Sequence, residues 1–212
     1  MVTQYGLNSE KDAQEKALEK ARKNAPESSM TVAAQAMVDI KEGRADKALN
    51  DIAAMQEKAG DSAAMLVALG DAYLAQGKLE DAGKSYQSAR ERSSKEARGL
   101  WASGEFFRMI GRPTDAIGNF DSVLRMDADH VPARLGRVFM RLDSGTAADI
   151  QLAQADLGRL AELTEGLGDR YNALISVARL ELKRLQGEGN DVTRKELEAL
   201  QQKLGNHPDL VL

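Results

Sequence analysis

The chain has 212 residues and a formal net charge of −4, and only 4% of its residues are aromatic although 42% are hydrophobic. This slightly acidic balance gives no electrostatic reason to expect a nucleic acid partner. There is no cysteine, which excludes disulfides, thiolate metal sites and cysteine nucleophiles. No run of about 18 apolar residues is long enough to span a bilayer. We therefore expect a soluble protein without direct membrane insertion, in either the cytoplasm or the periplasm.

The first predicted element precedes a pattern that recurs every 34 residues from residue 29 onward. Ala17, Leu18 and Ala21 have the spacing of one apolar helix face within residues 10–24. Terminal units of repeat arrays are often atypical. We predict that residues 1–28 form either an N-terminal capping helix or the remnant of a preceding repeat. Met30, Met37 and Ile40 follow as an apolar stripe that either lines a binding groove or belongs to the core. We expect it to be core, because this helix could cover it.

The recurring pattern is clearest in residues 63–130. Seven positions of residues 63–96 recur 34 residues later, and five of the seven pairs keep the residue or its aromatic class. The first set is Leu69, Gly70, Tyr73, Gly77, Ala82, Tyr86 and Ala89, and the second is Ser103, Gly104, Phe107, Gly111, Ala116, Phe120 and Val123. Glycine inside a helix costs about 1 kcal/mol relative to alanine. We therefore predict that Gly70 and Gly104 allow close helix contacts, and that Gly77 and Gly111 end helices.

This pattern resembles the tetratricopeptide repeat, in which a large residue, Leu-Gly, Tyr, Ala, Phe, Ala and Pro follow one another across 34 residues. Residues 63–96 match it best, residues 97–130 nearly as well, residues 29–62 moderately, and residues 131–164 only as a degenerate repeat. The resemblance implies an all-α fold. Antiparallel helix pairs would stack into a right-handed α-α superhelix, a solenoid of the tetratricopeptide type.

The last part of the chain keeps helical periodicity without the consensus. Thr146 and Asp149 have the spacing of a capping box at a helix start. The apolar spacing and the helix start and stop signals of residues 165–212 predict one further helical hairpin, which we expect to cap the array.

Little in the sequence predicts catalysis or metal binding. His130 and His207 are the only histidines, and each lies near a proline in a predicted turn. We expect both to be solvated turn residues. No catalytic, cofactor or metal site is predicted.

In the family that this chain resembles, partners bind in a concave groove lined by the first helix of each pair. The resemblance places nine candidate partner-binding residues there: Val67, Asp71, Leu74, Arg98, Trp101, Glu105, Arg108, Leu135 and Phe139. Asp71 and Glu105 would favour an apolar ligand with a basic or mixed-charge element. Trp101 either projects into the groove as an anchor or turns inward to pack against residues 63–96.

We therefore expect a non-enzymatic scaffold or adaptor that binds a protein or peptide segment in this groove. The asparagines and lysines that clamp a peptide carboxylate in heat-shock co-chaperones are missing, so a chaperone tail is not the expected ligand. One alternative is self-association into a homo-oligomer. Another is a repeat module of a larger bacterial cell-envelope or polysaccharide-export assembly.

Overall fold

The computed structural model describes residues 15–92, 97–163, 167, 169–188 and 191–204. Every regular element within these ranges is an α-helix, which confirms the predicted all-α fold. The helices are α1 (15–24), α2 (Ser29–Lys41), α3 (Ala45–Ala59), α4 (Ala63–Ala75), α5 (Leu79–Arg92), α6 (Ala97–Met109), α7 (Pro113–Met126), α8 (Val131–Ser144), α9 (Ala147–Glu162), α10 (Asp169–Leu185) and α11 (Asp191–Leu204).

The helices form two compact units, which we call the N-terminal unit (α1–α7) and the C-terminal unit (α8–α11). In the N-terminal unit α2 pairs with α3, α4 with α5, and α6 with α7. The first helices α2, α4 and α6 also pack side by side, so that α4 lies between the other two. Residues 15–24 are helical as predicted, whereas their role as a cap or as the end of a preceding repeat stays a prediction.

Glycine turns set the spacing of these pairs. Gly43, Gly77 and Gly111, each 34 residues from the next, have φ values of 76°, 72° and 71°. Because a side chain strongly disfavours this left-handed conformation, glycine ends each first helix at the same place in the repeat. The prediction for Gly77 and Gly111 is confirmed.

The two glycines inside first helices lie against aromatic rings of the second helices. A Cβ atom on Gly70 would lie 2.7 Å from Cε1 of Tyr86, and one on Gly104 would lie 2.6 Å from Cε1 of Phe120. Both rings are buried, with exposed fractions of 2% and 0%. The helices can approach this closely only because the Cβ is missing, as the sequence predicted.

The first repeat uses a buried carboxylate where its neighbours use aromatic residues. Asp39 of α2 occupies the position of Tyr73 one repeat later, and its side chain is fully buried. It accepts hydrogen bonds from Nζ of Lys47 at 2.7 Å and from Nε of Arg44 at 2.9 Å. Burial raises the pKa of Asp39, but the hydrogen bonds from Lys47 and Arg44 outweigh it and lower the pKa to about 2.

The C-terminal unit pairs α8 with α9 and α10 with α11, and α10 also packs on α8 and α9. Between α8 and α9 the carboxylate of Asp156 accepts hydrogen bonds from Arg134 at 2.8 Å, Arg137 at 2.9 Å and Arg141 at 2.7 Å. All four side chains are largely buried. The degenerate fourth repeat therefore joins its helices through charge where the third repeat uses apolar or small residues. The counterparts of the three arginines one repeat earlier are Leu100, Ser103 and Phe107.

Candidate functional site

The first helices of the N-terminal unit share one surface that curves inward. Nη1 of Arg98 on α6 lies 3.5 Å from Sδ of Met30, and Nη2 lies 3.6 Å from Sδ of Met37, both on α2. Since α4 lies between α2 and α6, side chains that meet across it show that the surface is concave over α4. We call this surface the inner face. In the structure it is defined by Arg98, Met30 and Met37. The repeat pattern predicts that Asp71, Leu74, Trp101, Glu105, Arg108 and Met109 of α4 and α6 lie on it as well.

Two of the nine predicted residues are not surface residues. Val67 is 4% exposed and belongs to an apolar cluster with Tyr86 and Phe106. Leu135 is also 4% exposed and lies in the core of the C-terminal unit, against which Phe139 is half-buried. A buried side chain offers no surface to a partner, so the candidate site excludes Val67 and Leu135.

Asp71 is already engaged within the chain. The hydroxyl of Tyr86 donates a hydrogen bond to Oδ1 of Asp71 at 2.5 Å. Burial raises the pKa of Asp71, and this hydrogen bond and the charge of Arg98 oppose the rise only in part. The pKa of Tyr86 is raised by burial and by the nearby carboxylate. Asp71 is therefore not an open acid for a basic ligand, contrary to the expectation from sequence.

The second predicted acid is paired as well. Nε of Arg108 donates to Oε2 of Glu105 at 3.1 Å, and Nη2 lies 3.0 Å from the same oxygen. Their side chains are 19% and 25% exposed, so the pair is partly shielded from water. Residues three apart on a helix commonly form such pairs. The charges of Glu105 and Arg108 largely cancel on the inner face.

The single tryptophan packs inward. Trp101 is half-buried against the cluster that contains Leu66, Val67 and Phe106, and its Nε1 is enclosed without a hydrogen-bond partner. Of the two orientations expected from the sequence, the structure has the indole packed against residues of the 63–96 repeat. Leu74 is half-buried against the same cluster.

Comparison with known proteins identifies the repeats. The family model described as tetratricopeptide repeat matches residues 33–97 and again residues 69–131. Residues 33–131 are tetratricopeptide repeats. No curated protein sequence matches it significantly.

Solved structures of other repeat proteins share the fold. A type IV pilus biogenesis factor, PilW, superposes with a TM-score of 0.64 at 16% identity, covering 98% of this chain and 94% of PilW. A tetratricopeptide repeat protein from Parabacteroides merdae gives a TM-score of 0.63 at 18% identity; 83% of this chain is covered but only 66% of that one. YrrB, described as having an unusual peptide-binding site, gives 0.56 at 14% identity, with 90% and 94% covered.

One part of the inner face of this repeat protein differs from the expectation. Met30 is 56% exposed, and Met37 is half-buried with its sulfur near Arg98. Only Ile40 of the predicted stripe packs against the core of the first repeats. The prediction that a helix covers Met30 was wrong. Both methionines belong to the same open face as Arg98.

The remaining polar residues of interest have structural roles or lie outside the described ranges. His130 precedes α8, and its Nδ1 accepts a hydrogen bond from the backbone N–H of Ala133 at 3.2 Å. It is an N-terminal cap of the helix rather than a simple solvated residue. His207 lies outside the part of the chain that the structure describes. Among the described residues, no cluster of three metal ligands is present and no helix is long and apolar enough to cross a membrane.

Proposed function

We propose that this tetratricopeptide repeat protein is a non-enzymatic scaffold that binds a segment of a protein partner on the inner face. The observation that carries the proposal is the set of apolar side chains that remain open on a concave surface. Met30 and Met109 are 56% and 50% exposed, and Met37, Leu74 and Trp101 are half-buried beside them. Burial of apolar area contributes roughly 25 cal/mol per Å². A segment that fills the concavity would bury these side chains together.

The chemistry of the face favours a protein ligand. Methionine side chains are flexible and polarisable, and they adapt to partners of irregular shape. Trp101 packs inward, and only the part of its ring that stays exposed adds rigid apolar area to the face. The description of YrrB as having a peptide-binding site supports the same class of ligand, as a property of a protein with the same fold.

A matched pair of substitutions tests the proposal. Met109 at the end of α6 and Met126 at the end of α7 are 50% and 45% exposed. Only Met109 is in a first helix, at a position where the repeat pattern predicts that it lies on the inner face. The wild type, Met109→Glu and Met126→Glu are used to capture proteins from an extract of the cells that make the chain, after circular dichroism confirms folding. We expect Met109→Glu to lose a partner that Met126→Glu retains, because a charge must be desolvated on the inner face. Equal capture by both variants would refute the inner face as the binding site.

The extent of the match to PilW favours one second candidate, a role in a bacterial cell-envelope assembly. The common fold covers almost all of both chains, and PilW is described as a pilus biogenesis factor. We expect the tagged protein to co-purify with an envelope assembly in cell fractionation. Recovery of the whole protein free of such assemblies would count against this candidate. Self-association stays a prediction that light scattering of the purified chain tests.

A further inference from the structure

The charges of the inner face leave one group poorly satisfied. Asp71 is bound by Tyr86 and Glu105 is paired with Arg108. The guanidinium of Arg98 instead donates to the two thioether sulfurs, and no carboxylate of the described residues is within ion-pair distance of it. A thioether is a weak hydrogen-bond acceptor. Asp71 still attracts Arg98 through its charge, but it is buried and bound to Tyr86, so the guanidinium of Arg98 has no hydrogen-bonded counter-charge among the described residues.

The position of Arg98 adds to this positive potential. It is the second residue of α6, where the partial positive charge of the helix dipole disfavours a cation. Asp71 of α4 acts on it through charge alone, since no hydrogen bond or ion pair joins the two side chains within the described part of the chain. An anion that arrived beside Arg98 would be favoured by both the guanidinium and the helix end.

We propose that the segment bound by the inner face is acidic. A glutamate or aspartate side chain within an apolar stretch pairs with Arg98, and the neighbouring apolar side chains contact Met30, Met37 and Leu74. A guanidinium–carboxylate pair has two charge-assisted hydrogen bonds and replaces two weak contacts to sulfur. The methionines that are released then serve as a flexible apolar wall. This inference rests on the proposed scaffold function and identifies the chemistry of the partner.

The experiment uses three sets of short synthetic peptides on an array. All sets share random apolar positions of Leu, Met and Ala with Ser for solubility, and they differ only in a central Glu, Gln or Lys. The full chain is applied as the wild type, as Arg98→Met and as Arg90→Met. Arg90 is an exposed arginine of α5 that makes no ion pair with the other described residues, and it serves as the matched control.

We expect the wild type and Arg90→Met to retain Glu peptides about tenfold more strongly than Gln peptides, as a charge-assisted pair implies. Arg98→Met should bind Glu and Gln peptides equally while keeping affinity for the apolar positions. Arg98→Lys should keep a weaker preference for Glu, since it retains the charge but not the planar fork. High salt should reduce the preference for Glu in the wild type.

The outcomes separate this inference from the scaffold function. Equal retention of Glu and Gln peptides by the wild type, or a preference for Lys, would overturn the acidic partner while leaving binding on the inner face intact. A preference for Glu that survives Arg98→Met in a folded protein would move the carboxylate site away from Arg98 and also refute the inference. Failure to retain any peptide, together with equal capture by Met109→Glu and Met126→Glu, would refute the scaffold function itself.

Discussion

Substitution of Gly104 by alanine should destabilise the protein, although alanine is the better helix former. Alanine is favoured over glycine inside a helix by about 1 kcal/mol. In this structure the new Cβ would lie 2.6 Å from Cε1 and 2.8 Å from Cδ1 of Phe120, whose ring is fully buried and cannot swing into solvent. Overpacking of this kind costs about 1–3 kcal/mol. Because both distances are below any normal contact, we expect the overpacking cost to exceed the gain in helix propensity, with a net loss of up to about 2 kcal/mol.

The assay is urea unfolding followed by circular dichroism, with Gly118→Ala as the control. Gly118 lies inside α7, and a Cβ on it would meet nothing within 4 Å. That substitution should raise the unfolding midpoint by the equivalent of about 0.5–1 kcal/mol, because only helix propensity changes. If Gly104→Ala and Gly118→Ala stabilise the protein equally, the close approach of α6 and α7 inferred from the structure is refuted.

A second pair of variants tests whether the Phe120 ring causes the destabilisation by Gly104→Ala. In the background of Phe120→Leu, the smaller side chain leaves room beside Gly104. There we expect Gly104→Ala to cost less than in the wild type, so the two substitutions should show a coupling energy of about 1 kcal/mol. Additive effects would mean that the new methyl group strains something other than the aromatic ring.

Three further predictions concern charge and turn geometry. Asp156→Asn should destabilise the C-terminal unit by about 3–5 kcal/mol, because it leaves buried guanidiniums without their counter-charge; an unchanged urea midpoint would refute the shared ion pair. The pKa of Asp39 is lowered in the folded state to about 2 from its usual 3.8, so its stabilising contribution is complete above pH 3.8 and is lost as pH falls through about 2. The stability difference between the wild type and Asp39→Asn should therefore shrink over that range, and a constant difference would contradict the lowered pKa. Gly111→Ala should lower the free energy of unfolding by about 1 kcal/mol, because φ is 71° at this position and a side chain disfavours that conformation. The thermal midpoint measures the effect, and an unchanged midpoint would mean that the turn rearranges.

The repeat architecture was predictable because its signal is steric and recurs. Gly70 and Gly104 stand out in the sequence as costly residues inside apolar helices, and this cost has a physical explanation only if another helix approaches closely. The structure has Tyr86 and Phe120 at those places. Turn glycines were equally clear, since few other residues adopt their backbone conformation.

The state of the charges on the inner face was only partly predictable. The spacing of Glu105 and Arg108 is compatible with the pair that the structure has, although we expected from the sequence that Glu105 would favour a basic element of a ligand. The hydrogen bond from Tyr86 to Asp71 could be expected only once Tyr86 was known to lie against Gly70, next to Asp71. A buried tyrosine hydroxyl usually has a hydrogen-bond partner. In contrast, the contact of Arg98 with the methionines of α2 depends on how strongly the surface formed by α2, α4 and α6 curves. Local sequence does not predict that curvature.

The ion cluster of the fourth repeat was not predicted for a different reason. Arginines at positions 134, 137 and 141 have the spacing of a solvated helix face, and their similarity to the consensus is lost. Only the single carboxylate of Asp156 on the next helix indicates that they face inward. The weak match of residues 131–164 to the repeat pattern therefore reflects a change in the chemistry of the helix interface, with the pairing of α8 and α9 retained.

The buried charges of the first and fourth repeats favour one helix partner over another. The middle repeats carry nearly interchangeable glycine and aromatic contacts, so their helices are at risk of pairing with the wrong neighbour, as in many repeat proteins. Helix α2 presents an acid to α3, whereas α8 presents three bases to α9. Exchange of α3 and α9 would bury like charges together on both sides, at a cost of several kcal/mol. Each of these two hairpins therefore disfavours the second helix of the other.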